Sequence, residues 1–224
     1  MKKGVTRIIV IIATFACVMS AAFFFSSKLF QPYRYYPFVK MPRLIENFPA
    51  GELVDGKIVE QHLFLSEESL RVNIPQESSF CVGALMATYF DRKNEGNVRL
   101  SVKFPDRRVL IKEVSFSEMK DNKYHKVCFD YPYSQLHSGE YIVSLEGMGG
   151  KEGSSATVWL TKDIKPPFTS TARLNGKAAE GALVVGFLAR QTIPAFSCPL
   201  IALMALYATL VAFLVFMLFP RKNC

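Results

Sequence analysis

Two long uncharged apolar stretches bracket this chain, Ile8 to Ser27 and Gln191 to Pro220. Whatever folds between them starts and finishes beside a hydrophobic segment, which narrows the architectures open to it. The first run, mostly Ile, Val, Ala and Phe, is about the 20 residues needed to cross a hydrocarbon layer. Ser20, Ala21 and Ala22 are small enough for a signal cleavage site, but the run continues through Phe23-Phe24-Phe25, past a usual signal core. The expectation is therefore an uncleaved membrane helix over 8–27 after a cytoplasmic tail, 1–7. The second run is densest over 195–219 and would extend about 37 Å as a helix, enough to cross with tilt. Ser197 ahead of Pro199 suits its start, since proline is tolerated in a first helical turn. Arg221 and Lys222 close it, leaving a short tail over 220–224. Neither run carries a charge at depth, which argues against an ion or substrate pathway.

The formal charge of +8 points to nucleic acid until the charges are placed. All 19 acidic residues fall between Glu46 and Glu180. Nine of the 27 basic residues flank the apolar runs: Lys2, Lys3, Arg7, Lys28, Arg34, Lys40, Arg43, Arg221 and Lys222. The central block is thus close to neutral, and the basic excess suits anionic lipid headgroups instead. A nucleic-acid partner is not expected. Lys2, Lys3, Arg7, Arg221 and Lys222 favour the cytoplasm for both termini. Lys28, Arg34, Lys40 and Arg43 temper that bias, but the block is expected outside the cytoplasm, with the lipid bilayer as its constant partner.

Within the block, short β-prone segments alternate with turn clusters. They are Lys57 to Leu65, Ser79 to Phe90, Val98 to Phe104, Val109 to Ser115, Tyr124 to Asp130, Glu140 to Leu145, Ala156 to Lys162 and Leu183 to Ala189. This spacing predicts an all-β antiparallel sandwich or barrel over 51–191. Ser79 to Phe90 is apolar on both faces, as a central strand would be. Ser66 to Ser69 reads as a polar loop, and Leu70 to Ile74 as a further short strand. Asn175-Gly176 marks a hairpin within the long excursion from Asp163 to Gly181. The stretch 28–50, with Phe30, Tyr33, Tyr35, Tyr36 and Phe38 among basic residues and prolines, reads as an interfacial extended linker.

Chemistry is sparse. His62, His125 and His137 lack zinc-site spacing, and no nucleophile elbow, phosphate loop or dinucleotide fingerprint occurs. Asp91 and Glu95 beside Asn94 could take calcium, although a polar hairpin explains them as well. The expectation is a protein without cofactor or metal that is not an enzyme. Cys81 and Cys128 are the two cysteines inside the block, both on expected strands. They pair in an oxidising compartment if the strands bring their Cα atoms within about 7 Å; otherwise they are two buried thiols. Sugar rings stack on Trp or Tyr, so Tyr89, Tyr131, Tyr133 and Trp159 are the candidate glycan-binding residues, with Arg92 and Asn94 as polar helpers. Each has a core-packing alternative, strongest for Trp159 and Tyr89.

Several short motifs carry a family likeness: Gly51-Glu52-Leu53 with Gln61 ahead, Ala87-Thr88-Tyr89 followed by Asn94-x-Gly96, Asp121-Asn122-x-Tyr124, Ser138-Gly139-x-Tyr141 and Val158-Trp159. Over Gly51 to Thr161 the chain resembles a bacterial periplasmic jelly-roll module attached to membrane proteins of envelope polysaccharide assembly, including multi-spanning glycosyltransferases. The resemblance implies a jelly-roll β-sandwich in the periplasm, and the two apolar runs add the expectation that it is held at the inner membrane by two passes. Its implied partners are a glycan or lipid-linked sugar, or a multi-spanning membrane protein. This chain has no multi-spanning enzyme portion, so no catalytic residue carries over. The leading expectation is a non-enzymatic module that binds glycan or assists envelope polysaccharide assembly; the alternative is a structural, protein-binding subunit of a membrane complex.

Overall fold

The computed structural model describes residues 33–42, 46–90 and 92–193, with 207, 208 and 211. The expected membrane spans, 8–27 and 195–219, and both tails lie outside the described residues, apart from Tyr207, Ala208 and Val211, which are helical. Among the described residues no helix is long and apolar enough to cross a membrane. Two compact units divide the chain: Tyr35–Gln191, and Met1–Arg34 with Thr192–Cys224. The first of them holds the strand-rich block.

The strands are β1 (Tyr33–Val39), β2 (Asn47–Glu52), β3 (Ile58–Leu65), β4 (Ser79–Ala87), β5 (Asn97–Lys103), β6 (Val109–Ser115), β7 (Lys123–Pro132), β8 (Gly139–Met148), β9 (Thr157–Thr161), β10 (Arg173–Leu174), β11 (Lys177–Ala178), β12 (Ala182–Leu183) and β13 (Val185–Thr192). Among the described residues they form two antiparallel sheets. One has the order β1-β13-β4-β9-β12, with β2 on β9 and β7 on β4; the other runs β11-β10-β3-β8-β5-β6. The second shows the alternation expected of a sheet with one wet face. Val98, Leu100 and Val102 point inward from β5, whereas Arg99 and Ser101 point out. Phe80, Phe187, Phe104 and Tyr141 join the two sheets across the core, with Phe80 and Phe187 5.1 Å apart and Tyr141 and Phe187 5.8 Å apart. The fold is an all-β sandwich.

In the first sheet β4 and β9 touch only at Met86↔Val158 and Ala87↔Thr157, then diverge. The returning chain fills the fork. It enters along β9 as β12 and leaves along β4 as β13. Val184 sits at the crotch, donating to the Trp159 carbonyl at 2.9 Å and accepting from the Leu85 N–H at 3.0 Å. Across the core lies Gln61, fully buried on β3. The Gln61 side chain accepts from the Leu183 N–H at 2.9 Å and donates to the carbonyls of His62 and Ser170 at 2.8 and 3.0 Å. One amide therefore satisfies backbone groups of both sheets, as a buried polar group must.

Strand pairing also fixes two poles. Ser79 of β4 lies beside Arg190 of β13 and Pro132 of β7, and Tyr36 Oη donates to Gln191 Oε1 at 2.9 Å. The sandwich therefore begins and ends at one pole, while β4 finishes at the other.

Two stretches differ from the sequence expectation. The expected linker 28–50 supplies β1 and most of β2. Both are outer strands, where Pro37 and Pro49 are tolerated because one side needs no ladder bond. Phe38 is buried against Phe80, Tyr133 and Phe187. The expected loop at Ser66 to Ser69 is instead a one-turn helix, α1 (Glu67–Leu70), capped by Ser66, whose hydroxyl accepts from the Ser69 N–H. No strand follows it before β4. Elsewhere Asn175 (φ 49°) and Gly176 (φ 79°) close the β10–β11 hairpin, the positive pair that a two-residue turn requires.

Candidate functional site

The far pole, opposite the two ends of the sandwich, carries Tyr89, Phe90, Tyr124 and Trp159. β4 ends at Ala87, and the chain turns through Tyr89 (φ 54°) and Phe90 (φ 67°), both in the left-handed region. That conformation costs a side-chain-bearing residue about 1–2 kcal/mol. The carboxylate of Asp121 holds it: Oδ1 accepts from the Thr88 N–H at 2.7 Å and Oδ2 from the Phe90 N–H at 3.2 Å. In consequence Phe90 is 97% exposed, a large apolar ring standing in water on a fixed backbone.

Arg92 anchors the same loop. Its Nη2 donates to Glu52 Oε1 at 2.6 Å and to the Ser155 carbonyl at 2.8 Å, its Nε donates to Asn94 Oδ1 at 2.9 Å, and its guanidinium lies 5.0 Å from the Tyr89 ring centroid. Glu52 Oε2 accepts from the Gly153 N–H at 2.6 Å. One ion pair thus ties together the end of β2, the 88–96 loop and the 149–155 loop. Arg92 and Asn94 Oδ1 are thus bonded within the protein, while Asn94, almost fully buried, keeps an Nδ2 with no hydrogen-bond partner among the described residues. Both residues hold the pole together.

Trp159 stands on the outer face of β9, with its neighbours Val158 and Leu160 in the core. It is half-buried, and its Nε1–H donates to Asn122 Oδ1 at 3.0 Å, which fixes the indole plane. Tyr124, 39% exposed, lies on the same outer face opposite Leu85, and partial burial raises the pKa of its phenol. Phe90 and Tyr124 escape sequence reasoning. In sequence Phe90 reads as the end of a strand, and nothing local announces a left-handed turn at two aromatic residues. The pair Asp121-Asn122 stands out as a motif, but its role as the clasp beneath Phe90 and Trp159 does not.

Tyr131 and Tyr133 are corrections. Both are 7% exposed and point into the core. Tyr131 Oη donates to the Gln135 carbonyl and accepts from Arg108, while Tyr133 Oη donates to the Leu70 carbonyl at 2.8 Å. β7 runs on to Pro132, so Phe129 and Tyr131 keep their inward alternation, and a 3-10 turn over Tyr133–Gln135 folds Tyr133 back against Phe38. They belong to the near pole and do not join Trp159 in a groove.

Cys81 and Cys128 face each other across β4 and β7, joined as a disulfide with Cα atoms 3.9 Å apart. The bridge lies on the outer face of that sheet, under Leu188, Tyr35 and Met41. Asp91, the first residue of the calcium alternative, lies outside the described residues, and Asn94 Oδ1 is taken by Arg92. Among the described residues no group of three or more His, Cys, Asp or Glu side chains could hold a metal ion. Comparison with known protein families and with curated proteins finds no match.

Proposed function

We propose that this chain is a non-enzymatic, glycan-binding module of a bacterial envelope, its jelly-roll sandwich held on the periplasmic side of the inner membrane by a helix at each end. The observation that carries the reading is the far pole. A fully exposed Phe90 and a partly buried, hydrogen-bond-oriented Trp159 stand at the end of the sandwich remote from both chain exits. A backbone held by Asp121 under Phe90 and an indole held by Asn122 leave less to be ordered when a sugar face stacks on the rings. The Cys81–Cys128 bridge suits an oxidising compartment, and the uncharged runs suit the bilayer. Tethering at both ends raises the module's effective concentration near membrane-bound assembly machinery.

The test is co-sedimentation of the full chain, in nanodiscs, with envelope polysaccharide. Wild type sediments with the polymer, and Phe90→Ala with Trp159→Ala reduces retention about tenfold or more, the loss of one to two stacked faces. A wild type that stays in the supernatant with every polymer tried contradicts the proposal.

A further inference from the structure

A hollow lies at the near pole, between α1 and the segment 166–169. Phe64, the outward residue near the end of β3, is 50% exposed although its outward neighbours on that strand, Glu60 and His62, are polar. Beside it Pro166, Pro167 and Phe168 form a second apolar wall, and Ser66, Ser69 and Thr169 add three hydroxyls. Together they line a hollow of about 300 Å³, the lower end of the range for small-molecule sites. Its walls are held in place. The Phe64 N–H donates to the Pro167 carbonyl at 2.8 Å, Leu63 and Phe168 form a bridge, and the Ser69 N–H donates to Ser66 Oγ at 3.2 Å.

We infer that this hollow takes one uncharged sugar ring, its C–H face on Phe64 and the prolines and its hydroxyls toward Ser69 and Thr169. The lining sets the class. It combines an aromatic face and proline rings with neutral hydrogen-bonding groups, and no ionisable side chain is among its walls. The carboxylate opposite Phe64 in strand register, Glu140, is already bonded to His62 Nδ1 at 3.0 Å. A phosphate or carboxylate brought here meets no cationic side chain among the walls to offset the hydration it gives up. A flat, neutral ring with one apolar face meets every group present. The ring's source is either a free saccharide or the headgroup of a neutral glycolipid. The inference rests on the glycan reading for the relevance of sugars, but the hollow is at the opposite pole from Phe90 and Trp159.

The test uses saturation-transfer NMR on the full chain in nanodiscs with methyl β-D-glucopyranoside, methyl β-D-galactopyranoside and N-acetylglucosamine, and with glucuronate as the charged comparison. At least one neutral ring shows transfer, glucuronate binds about tenfold more weakly or less, and Phe64→Ala weakens binding about tenfold while Phe64→Trp retains it. Thermal unfolding of each variant checks that the half-exposed site tolerates the change. Nanodiscs carrying a neutral glycolipid then compete: displacement of the free glycoside assigns the lipid-borne source, and no displacement assigns free saccharide. The same measurements in a Phe90→Ala, Trp159→Ala background report the hollow alone: transfer that persists there and is lost on adding Phe64→Ala belongs to the hollow, so loss of polymer retention and loss of ring binding are separable. Silence from all the neutral rings, equal binding of glucuronate, or an unchanged Phe64→Ala overturns the inference.

Discussion

Phe90 and Trp159 reach solvent by different routes, and the difference predicts how each fails. Trp159 is presented by the pleat of β9, so its replacement removes a ring, part of its packing and one hydrogen bond to Asn122, and leaves the backbone in place. Phe90 is presented by a turn that depends on Asp121, whose two oxygens take the N–H groups of Thr88 and Phe90. Asp121→Ala leaves those donors without their partner and releases a strained turn, at a cost of about 1–3 kcal/mol. It is expected to lower polysaccharide retention through the loss of the turn, in step with the unfolding temperature, whereas Asn122→Ala, which frees the indole and spares the turn, lowers retention with a smaller change in unfolding. Tyr141 gives a second prediction at this scale. Burial pushes its phenol up to about 12, while its Oη donates to the His137 carbonyl at 2.7 Å. The unfolded chain ionises near 10 and the folded one does not, so between these values the unfolded state binds fewer protons and stability falls as pH rises. The loss approaches about 2 kcal/mol near pH 12. Tyr124 and Tyr133 are shifted the same way by burial and steepen that limb. Tyr141→Phe removes its own share, which urea titrations across alkaline pH would show as a shallower decline.

At the scale of elements, the outer face of the β4 sheet is covered by chain, and glycine permits the approach. A Cβ on Gly186 would lie 2.8 Å from the Val39 carbonyl and 2.6 Å from Met41 Cγ, while one on Gly83 would meet the flexible end of the Met41 side chain. Gly186→Ala is therefore expected to cost about 1–3 kcal/mol, because backbone of β1 must move, and Gly83→Ala distinctly less. Differential unfolding of the two variants decides the point. The Cys81–Cys128 bridge closes a separation of 47 residues and constrains the unfolded chain, so Cys81→Ser with Cys128→Ser lowers stability by about 2–4 kcal/mol. A reductant does the same to wild type and nothing further to the double variant. These elements also show where sequence is informative. The period-two patterns of β3, β5, β7 and β8 are legible because each buries one face. β1 is not, because its proline and tyrosines match an interfacial linker as well as an edge strand, and only the partner strand β13 separates the two. Tyr131 and Tyr133 mislead because Pro132 reads as a loop, although an edge position lets β7 continue through it. The disulfide needs register, which no spacing supplies.

For the whole molecule, two sheets share one core, both ends of the sandwich lie at one pole, and the aromatic clasp lies at the other. On the proposed reading, glycan is bound at the pole of the sandwich remote from both of its ends. The claim on which this depends is that the sandwich faces the periplasm with both termini in the cytoplasm. The direct measurement is protease digestion of intact spheroplasts expressing the full chain with a tag at each terminus. The account predicts that protease added outside cuts within the sandwich or its connecting segments, while both tags stay protected until the membrane is lysed. A sandwich that survives until lysis, or a tag lost from intact spheroplasts, would contradict it.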